Sequence, residues 1–233
     1  MKVFNRWSMF VVALVLGAIQ VAIANEPAKV DASVTIQQTT NQVMAVIDEA
    51  SGYYENDPAR FYQEIETVLD QVVDFNSFAR GVMGPYGSKK MYITLPTRAE
   101  KDAFKARITR FSTIFKQGLV QTYAKGLLAF GGTKIEVDPI ADNQKGKKSV
   151  TVVQRIYGDA EKPYTVLYKM RENRAGNWKL RNVTIEAINL GKVYQGQFAA
   201  AVKQYDGDID KVIDSWSVTP VSEQGEVVAS ASE

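Results

Sequence analysis

The spacing of apolar residues changes period twice along this chain, and that switch limits the architectures open to it. Up to Phe130 they recur at helical intervals, from Lys134 to Ile188 they alternate as in a pleated strand, and after Gly191 the helical interval returns. Helices gathered ahead of a run of strands predict an α+β fold, with N-terminal helices packed on a curved antiparallel sheet of about four strands.

The helical part begins with a segment over Val34 to Glu49, where Val43, Met44 and Ile47 are apolar. A second helix follows Asp57 and Pro58, an N-cap with proline in the first turn, and carries Phe61, Ile65, Val68, Leu69 and Val72. A short element from Asp74 to Val82 stops at Gly84 and Pro85. The longest helix starts after Pro96, with Thr97 and Glu100 as a capping box, and is expected to reach Phe130, before Gly131 and Gly132. Phe104, Ile108, Phe111 and Phe115 share one of its faces, which Ile114, Val120, Tyr123, Leu127 and Leu128 widen.

Four strands are expected: Lys134 to Val137, Ser149 to Tyr157, Tyr164 to Glu172, and Trp178 to Ile188. In the last, Trp178 and Leu180 fall out of phase with Val183, Ile185 and Ala187, so the slip near Asn182 predicts a bulge. Val193, Phe198 and Val202 then mark a helix, and Asp208 caps a final short one.

Residues 1–24 read as a cleavable export signal. Lys2 and Arg6 precede an apolar run from Met9 to Ile23, and Ala22-Ile23-Ala24 forms a cleavage site. Gly17 and Gln20 interrupt that run, which is shorter than the ~20 residues of a bilayer span. Cleavage after Ala24 leaves 209 of the 233 residues, a length suited to one domain over 25–218, followed by a tail over 219–233 that has no apolar period and is expected to be disordered. The whole chain holds 28 basic and 26 acidic residues, and loss of Lys2 and Arg6 makes the mature protein neutral. Neutrality argues against a nucleic-acid partner, and Lys145, Lys147 and Lys148 read as a solvated turn. Cysteine and histidine are both absent, which removes disulfides, thiolate nucleophiles, the usual general base and the commonest metal ligands. No phosphate loop is seen: Gly131-Gly132 and the Gly81 to Gly84 stretch lack the strand-glycine-helix context.

Four segments, in order, resemble the MlaC (toluene-tolerance protein D) family of periplasmic phospholipid carriers. They are VVDFNSFARGVMG from Val72, FKARITRFSTIFKQGLVQTYAKGLLAFGG from Phe104, YTVLYKMRENRAGNWKL from Tyr164, and VTIEAINLGKVYQGQFAAAVKQYDGDIDKVIDSW from Val183 to Trp216. The resemblance spans roughly residues 35–217. It departs from the family at Asn182, where an Asp is usual, at Ala187 for Gly and Asn189 for Ser, and in a longer loop over Gly87 to Leu95. It implies no cofactor and no catalysis, but phospholipid as cargo in an apolar cavity between helices and sheet. It also implies periplasmic shuttling between an outer-membrane lipoprotein-porin complex and an inner-membrane ATP-driven (ABC transporter) complex with an MCE-type component, which maintains outer-membrane lipid asymmetry.

Given such a cavity, strand phase selects its walls: Val150, Val152 and Ile156, then Tyr164, Val166, Tyr168 and Met170, then Val183 and Ile185. The long helix offers Phe111, Phe115, Tyr123 and Leu127 opposite them. The same side chains equally suit a packed core without lipid. Arg171 matches a family arginine near the cavity mouth, and an exposed turn arginine is the other reading. Two further functions stay open: an enzyme using carboxylates such as Asp74, Asp138 or Glu186 with tyrosines, and an adaptor bridging two envelope complexes.

Overall fold

The computed structural model describes residues 30–128, 134–158 and 161–220. Among them the order of elements is α1 (Ala32–Ala50), α2 (Pro58–Val72), α3 (Phe75–Met83), α4 (Lys89–Thr94), α5 (Arg98–Leu128), β1 (Lys134–Val137), β2 (Ser149–Tyr157), β3 (Tyr164–Glu172), β4 (Trp178–Ile185), β5 (Ile188–Asn189), α6 (Leu190–Gln204) and α7 (Ile209–Asp214). The architecture is α+β, as the change of period requires. The export signal and the tail beyond residue 220 lie outside the described residues, as do Phe130 and the two glycines expected to end α5.

Short polar side chains set most helix starts by accepting from the otherwise unpaired N–H groups of the first turn. Asp57 accepts from Arg60 N, Asp74 from Ser77 N and Asp208 from Lys211 N. At α5 the capping box closes in both directions: Glu100 N donates to Thr97 Oγ1 at 3.2 Å, and Thr97 N to Glu100 Oε2 at 3.0 Å. Helix α4 departs from expectation, since it occupies the stretch read as a loop. A helix of 6 residues carries no measurable period, yet Ser88 caps it and the Tyr92 ring packs 5.6 Å from that of Phe104.

The strands form one antiparallel sheet in the order β1-β2-β3-β4-β5. The expected bulge is present: Lys169 faces Asn182 while Met170 faces Leu180, which leaves Arg181 as the extra residue. The last expected strand is shorter than predicted and splits in two. Glu186, at φ 52°, turns the chain within two residues, and β5 folds back so that Ile185 faces Ile188. Sequence spacing gave no sign of this turn, because it lacks the glycine or asparagine that usually marks one.

The helices cover one face of the sheet. The chain between α2 and α3 ties into it, with Val73 bridged to Leu180 and Asp74 N donating to Leu180 O at 2.9 Å. The phenylalanine stripe of α5 lies within this layer. Phe111 and Phe115 are fully buried and stack on each other at 5.7 Å, Phe111 meets Phe198 edge-on at 5.0 Å, and Phe115 meets Tyr194 at 5.3 Å. Such pairs add about 0.5–1.5 kcal/mol each to the burial of their area. Among the described residues no helix is long and apolar enough to cross a membrane.

Candidate functional site: an apolar seam at one end of the sheet

Cross-strand partners in an antiparallel sheet project to the same side. Val150 faces Met170, Val152 faces Tyr168, Gln154 faces Val166 and Ile156 faces Tyr164. On the other edge of β3, Met170 faces Leu180, Tyr168 faces Val183 and Val166 faces Ile185. All nine apolar and tyrosine residues expected from β2, β3 and β4 therefore share one face. Arg171 alternates to the opposite side, between Ser149 and Lys179, and is exposed; the structure does not bring it to the others.

Burial divides that face into two ends. Val150, Val152, Met170 and Leu180 are buried in one cluster with Ala32, Ile36, Phe111 and Phe115. Toward the other end Ile156, Val183, Ile185 and Ile188 are only half-buried, and Tyr164 is 44% exposed. Phe111 and Phe115 thus belong to the closed end, in packed aromatic core.

Gln154 marks the boundary. It is 3% exposed and sits in phase between Val152 and Ile156, where the alternation calls for an apolar side chain. Its Nε2 donates to Thr40 Oγ1 of α1 at 2.7 Å, and its Oε1 accepts from the Tyr168 hydroxyl at 2.7 Å. Burial pushes the Tyr168 phenol well above its ordinary range, so it remains a neutral donor. Sequence reading passed over both Gln154 and Thr40, although the strand phase alone pointed to position 154.

A second buried cluster lies among α1, α2 and α5. Its core is Ala50, Phe61, Ile65, Val120 and Ala124, and Leu127 packs on it with Val43, Val46 and Ile47. Leu127 is thereby separated from Phe111 and Phe115. Among the described residues Leu69 is the one apolar side chain that packs on both clusters. The half-buried side chains at the open end of the sheet face, Ile156, Val183, Ile185 and Ile188, form an apolar seam that the core does not fully cover. Tyr123 of α5 packs on the first cluster, and its hydroxyl lies 2.6 Å from that of Tyr194. Burial first, and then the bond to Tyr123, push the Tyr194 phenol upward. Tyr194 also donates to Thr219 O at 3.4 Å, so ordered contacts extend one residue into the predicted tail.

The remaining candidates have structural partners. Asp74 caps α3 and pairs with Arg181 at 2.9 Å, Asp138 pairs with Arg155, and Glu186 accepts from Thr165 N in the β4–β5 turn. These carboxylates lie on three separate elements of the surface and are not brought together. Among the described residues no group of three or more His, Cys, Asp or Glu is placed to hold a metal ion. A groove of about 880 Å³ runs between α1 and the β3–β4 turn, with Gln38, Gln42 and Asn173 as well as Val72 and Trp178 in its walls.

Two of the departures from the family pattern meet in space. Asn182 Nδ2 donates to Asn189 Oδ1 at 2.8 Å, Asn182 Oδ1 accepts from Gly191 N at 3.0 Å, and Asn189 Oδ1 accepts from Lys192 N at 3.0 Å. Asn182 and Asn189 thus form a hydrogen-bonded pair that caps α6. Ala187 lies exposed in the turn that precedes it.

The sequence model of the MlaC protein family matches residues 37–218. Toluene tolerance protein ttg2D of Pseudomonas putida is 32% identical over 182 residues, which covers 78% of each chain. Among solved structures, a phospholipid-binding protein from Ralstonia solanacearum in complex with a phospholipid shares the fold, with a TM-score of 0.61 at 18% identity over 79% of this chain and 94% of that one. On the extent of the family match and the identity to the Pseudomonas protein, this chain belongs to the MlaC family.

Proposed function

We propose that this protein is a periplasmic phospholipid carrier that holds acyl chains along the half-buried apolar seam of the sheet and leaves the headgroup near solvent. The observation that carries this reading is the seam itself. Ile156, Val183, Ile185 and Ile188 on the sheet are apolar and only half-covered. Exposure of acyl chains to water costs about 0.8 kcal/mol per methylene, which amounts to tens of kcal/mol for two chains. A carrier must therefore cover them, and apolar side chains left half-covered at the edge of the core are surface on which acyl chains can pack. The phospholipid in the structural neighbour supports the same cargo here.

In this reading residues 1–24 direct export and are removed after Ala24, leaving a single lipid-binding domain over 25–218. The protein exchanges lipid with an outer-membrane lipoprotein-porin complex on one side and an inner-membrane MCE-protein/ABC transporter complex on the other, and so maintains outer-membrane lipid asymmetry. Carriage is favoured over catalysis because Asp74, Asp138 and Glu186 each serve a local cap, ion pair or turn on different elements. The test is native mass spectrometry of protein purified from the periplasm, followed by lipid extraction. Phospholipid in stoichiometric amount is expected. Empty protein that also takes up no lipid from vesicles would sink the proposal.

A further inference from the structure

The stretch Gly87 to Leu95 carries α4, whose side chains divide by direction. Tyr92 turns inward onto Phe104, whereas Ile93 is 63% exposed, the largest exposure among the big apolar side chains described. On a helix, residues three and four apart share a face, so Lys90 and Lys89 flank Ile93 on its outer side. Met91, 39% exposed, stands at the flank.

Charge on the outer face of this tip is positive. Lys89 and Lys90 have no ion-pair partner among the described residues. On the inner side Lys101 approaches the Tyr92 ring, at 5.9 Å, and Glu100, bound to Thr97 in the capping box, keeps its charge at the start of α5. Asp102 is balanced by Lys105 at 3.1 Å and Arg98 at 3.7 Å. Two unpaired lysines therefore flank one outward isoleucine.

From this arrangement we propose that α4 docks the protein on a lipid bilayer carrying anionic headgroups, with Ile93 entering the headgroup boundary and Lys89 and Lys90 meeting phosphates. Its purpose rests on the carrier reading above; its physics does not. A specific protein interface needs roughly 1,000 Å² or more of buried surface, far beyond one helical turn. A bilayer needs no such area, because a single apolar side chain can sink while lysine stems lie along the interface with their ammonium groups in water. Each lysine near an anionic surface strengthens partition about fivefold, and the attraction falls off within a Debye length.

The test is co-sedimentation of the full-length protein, purified from the periplasm, with vesicles of phosphatidylglycerol and phosphatidylcholine mixed, or of phosphatidylcholine alone. The mixed vesicles are expected to bind it reversibly and to release it in high salt. The Lys89→Glu/Lys90→Glu variant should lose at least about tenfold in partition, and Ile93→Asp should also lose binding, whereas Lys203→Glu on α6 should bind as the parent does. Melting temperatures confirm folding, which these exposed positions should preserve. Equal binding to both vesicle types, unchanged binding by the α4 variants, or binding only to an acidic protein partner would overturn the docking proposal. Cargo content is read separately, so empty protein that still binds mixed vesicles would refute the carrier reading while upholding docking.

Discussion

Gln154, in the middle of the sheet, donates its buried side-chain amide to Thr40 Oγ1 across 2.7 Å and so fastens α1 to β2. The bond is made where apolar packing on the sheet face changes from closed to open, and Tyr168 completes it from the neighbouring strand. A buried amide stripped of one partner bears its desolvation cost, about 1–3 kcal/mol, whereas replacing both partners with apolar groups can be nearly neutral. Thr40→Val should therefore destabilise the protein by about 1–2 kcal/mol in urea unfolding, and adding Gln154→Met together with Tyr168→Phe, which leaves no member of the network unpaired, should recover most of that loss. Additive losses in the combined variant would show that the three are not coupled.

The seam makes a second prediction, about which side chains can be enlarged. Val152 and Val166 are 1% and 6% exposed, so a tryptophan there would overpack the core and confuse loss of cargo with loss of fold. Ile185 is half-buried at the open end, so a larger side chain there can extend toward solvent. Ile185→Trp is expected to keep its melting temperature within a few degrees while phospholipid per protein, measured after extraction, drops severalfold. Retained lipid at full stoichiometry would place the acyl chains elsewhere, and an adaptor without cargo would show no lipid in either form.

The helix stripe and the strand alternation were legible in the sequence because each repeats over many residues. Tyr164, Val166, Tyr168 and Met170 fell on one face, and the slip at Asn182 became a bulge at Arg181. What escaped was local or non-repeating. Gln154 broke the apolar pattern it belongs to, α4 was a single turn, and Glu186 adopted a positive φ usually taken by Gly or Asn. Periodicity also could not separate wall from core. Phe111 and Leu127 lie on one helix, yet which cluster each joins depends on α2 and α6, far away in sequence.

Gly118 supplies a third prediction. A Cβ added there would stand 2.5 Å from Val218 Cγ2, and Thr122 Oγ1 donates to Val218 O at 3.2 Å, so the chain after α7 is laid directly on α5. Alanine would improve helix propensity by about 1 kcal/mol but displace that segment. Gly118→Ala alone should lower stability, with a change in Trp216 fluorescence as the segment shifts. Val218→Ala removes the 2.5 Å clash and leaves a 3.0 Å approach to its own Cβ, so adding it should recover part of the loss that Gly118→Ala causes. A stabilised single variant would show that the contact yields freely.

Helix α7 is held to α5 by charge, and that makes its attachment dependent on pH. Arg107 donates to Asp210 Oδ2 through Nε at 2.9 Å and Nη2 at 2.6 Å, and Arg110 Nη2 donates to Oδ1 at 2.6 Å. The hydrogen bond from Arg107 leads in holding the Asp210 carboxyl below its ordinary value of 3.8, with Arg110 adding to it. A carboxyl with a depressed folded value stabilises fully above the unfolded value and loses that contribution as pH falls through the folded one. The group is 42% exposed, so solvent screening limits the worth of the cluster to about 0.5–1 kcal/mol. Asp210→Asn should then melt a few degrees below the parent at pH 6, with the gap narrowing in 0.5 M salt. It should close as the pH is lowered below the ordinary aspartate range, where the parent's own carboxyl is protonated. A gap that persisted unchanged in acid would assign the effect to packing at Ile209 and Val212 rather than to the ion pair.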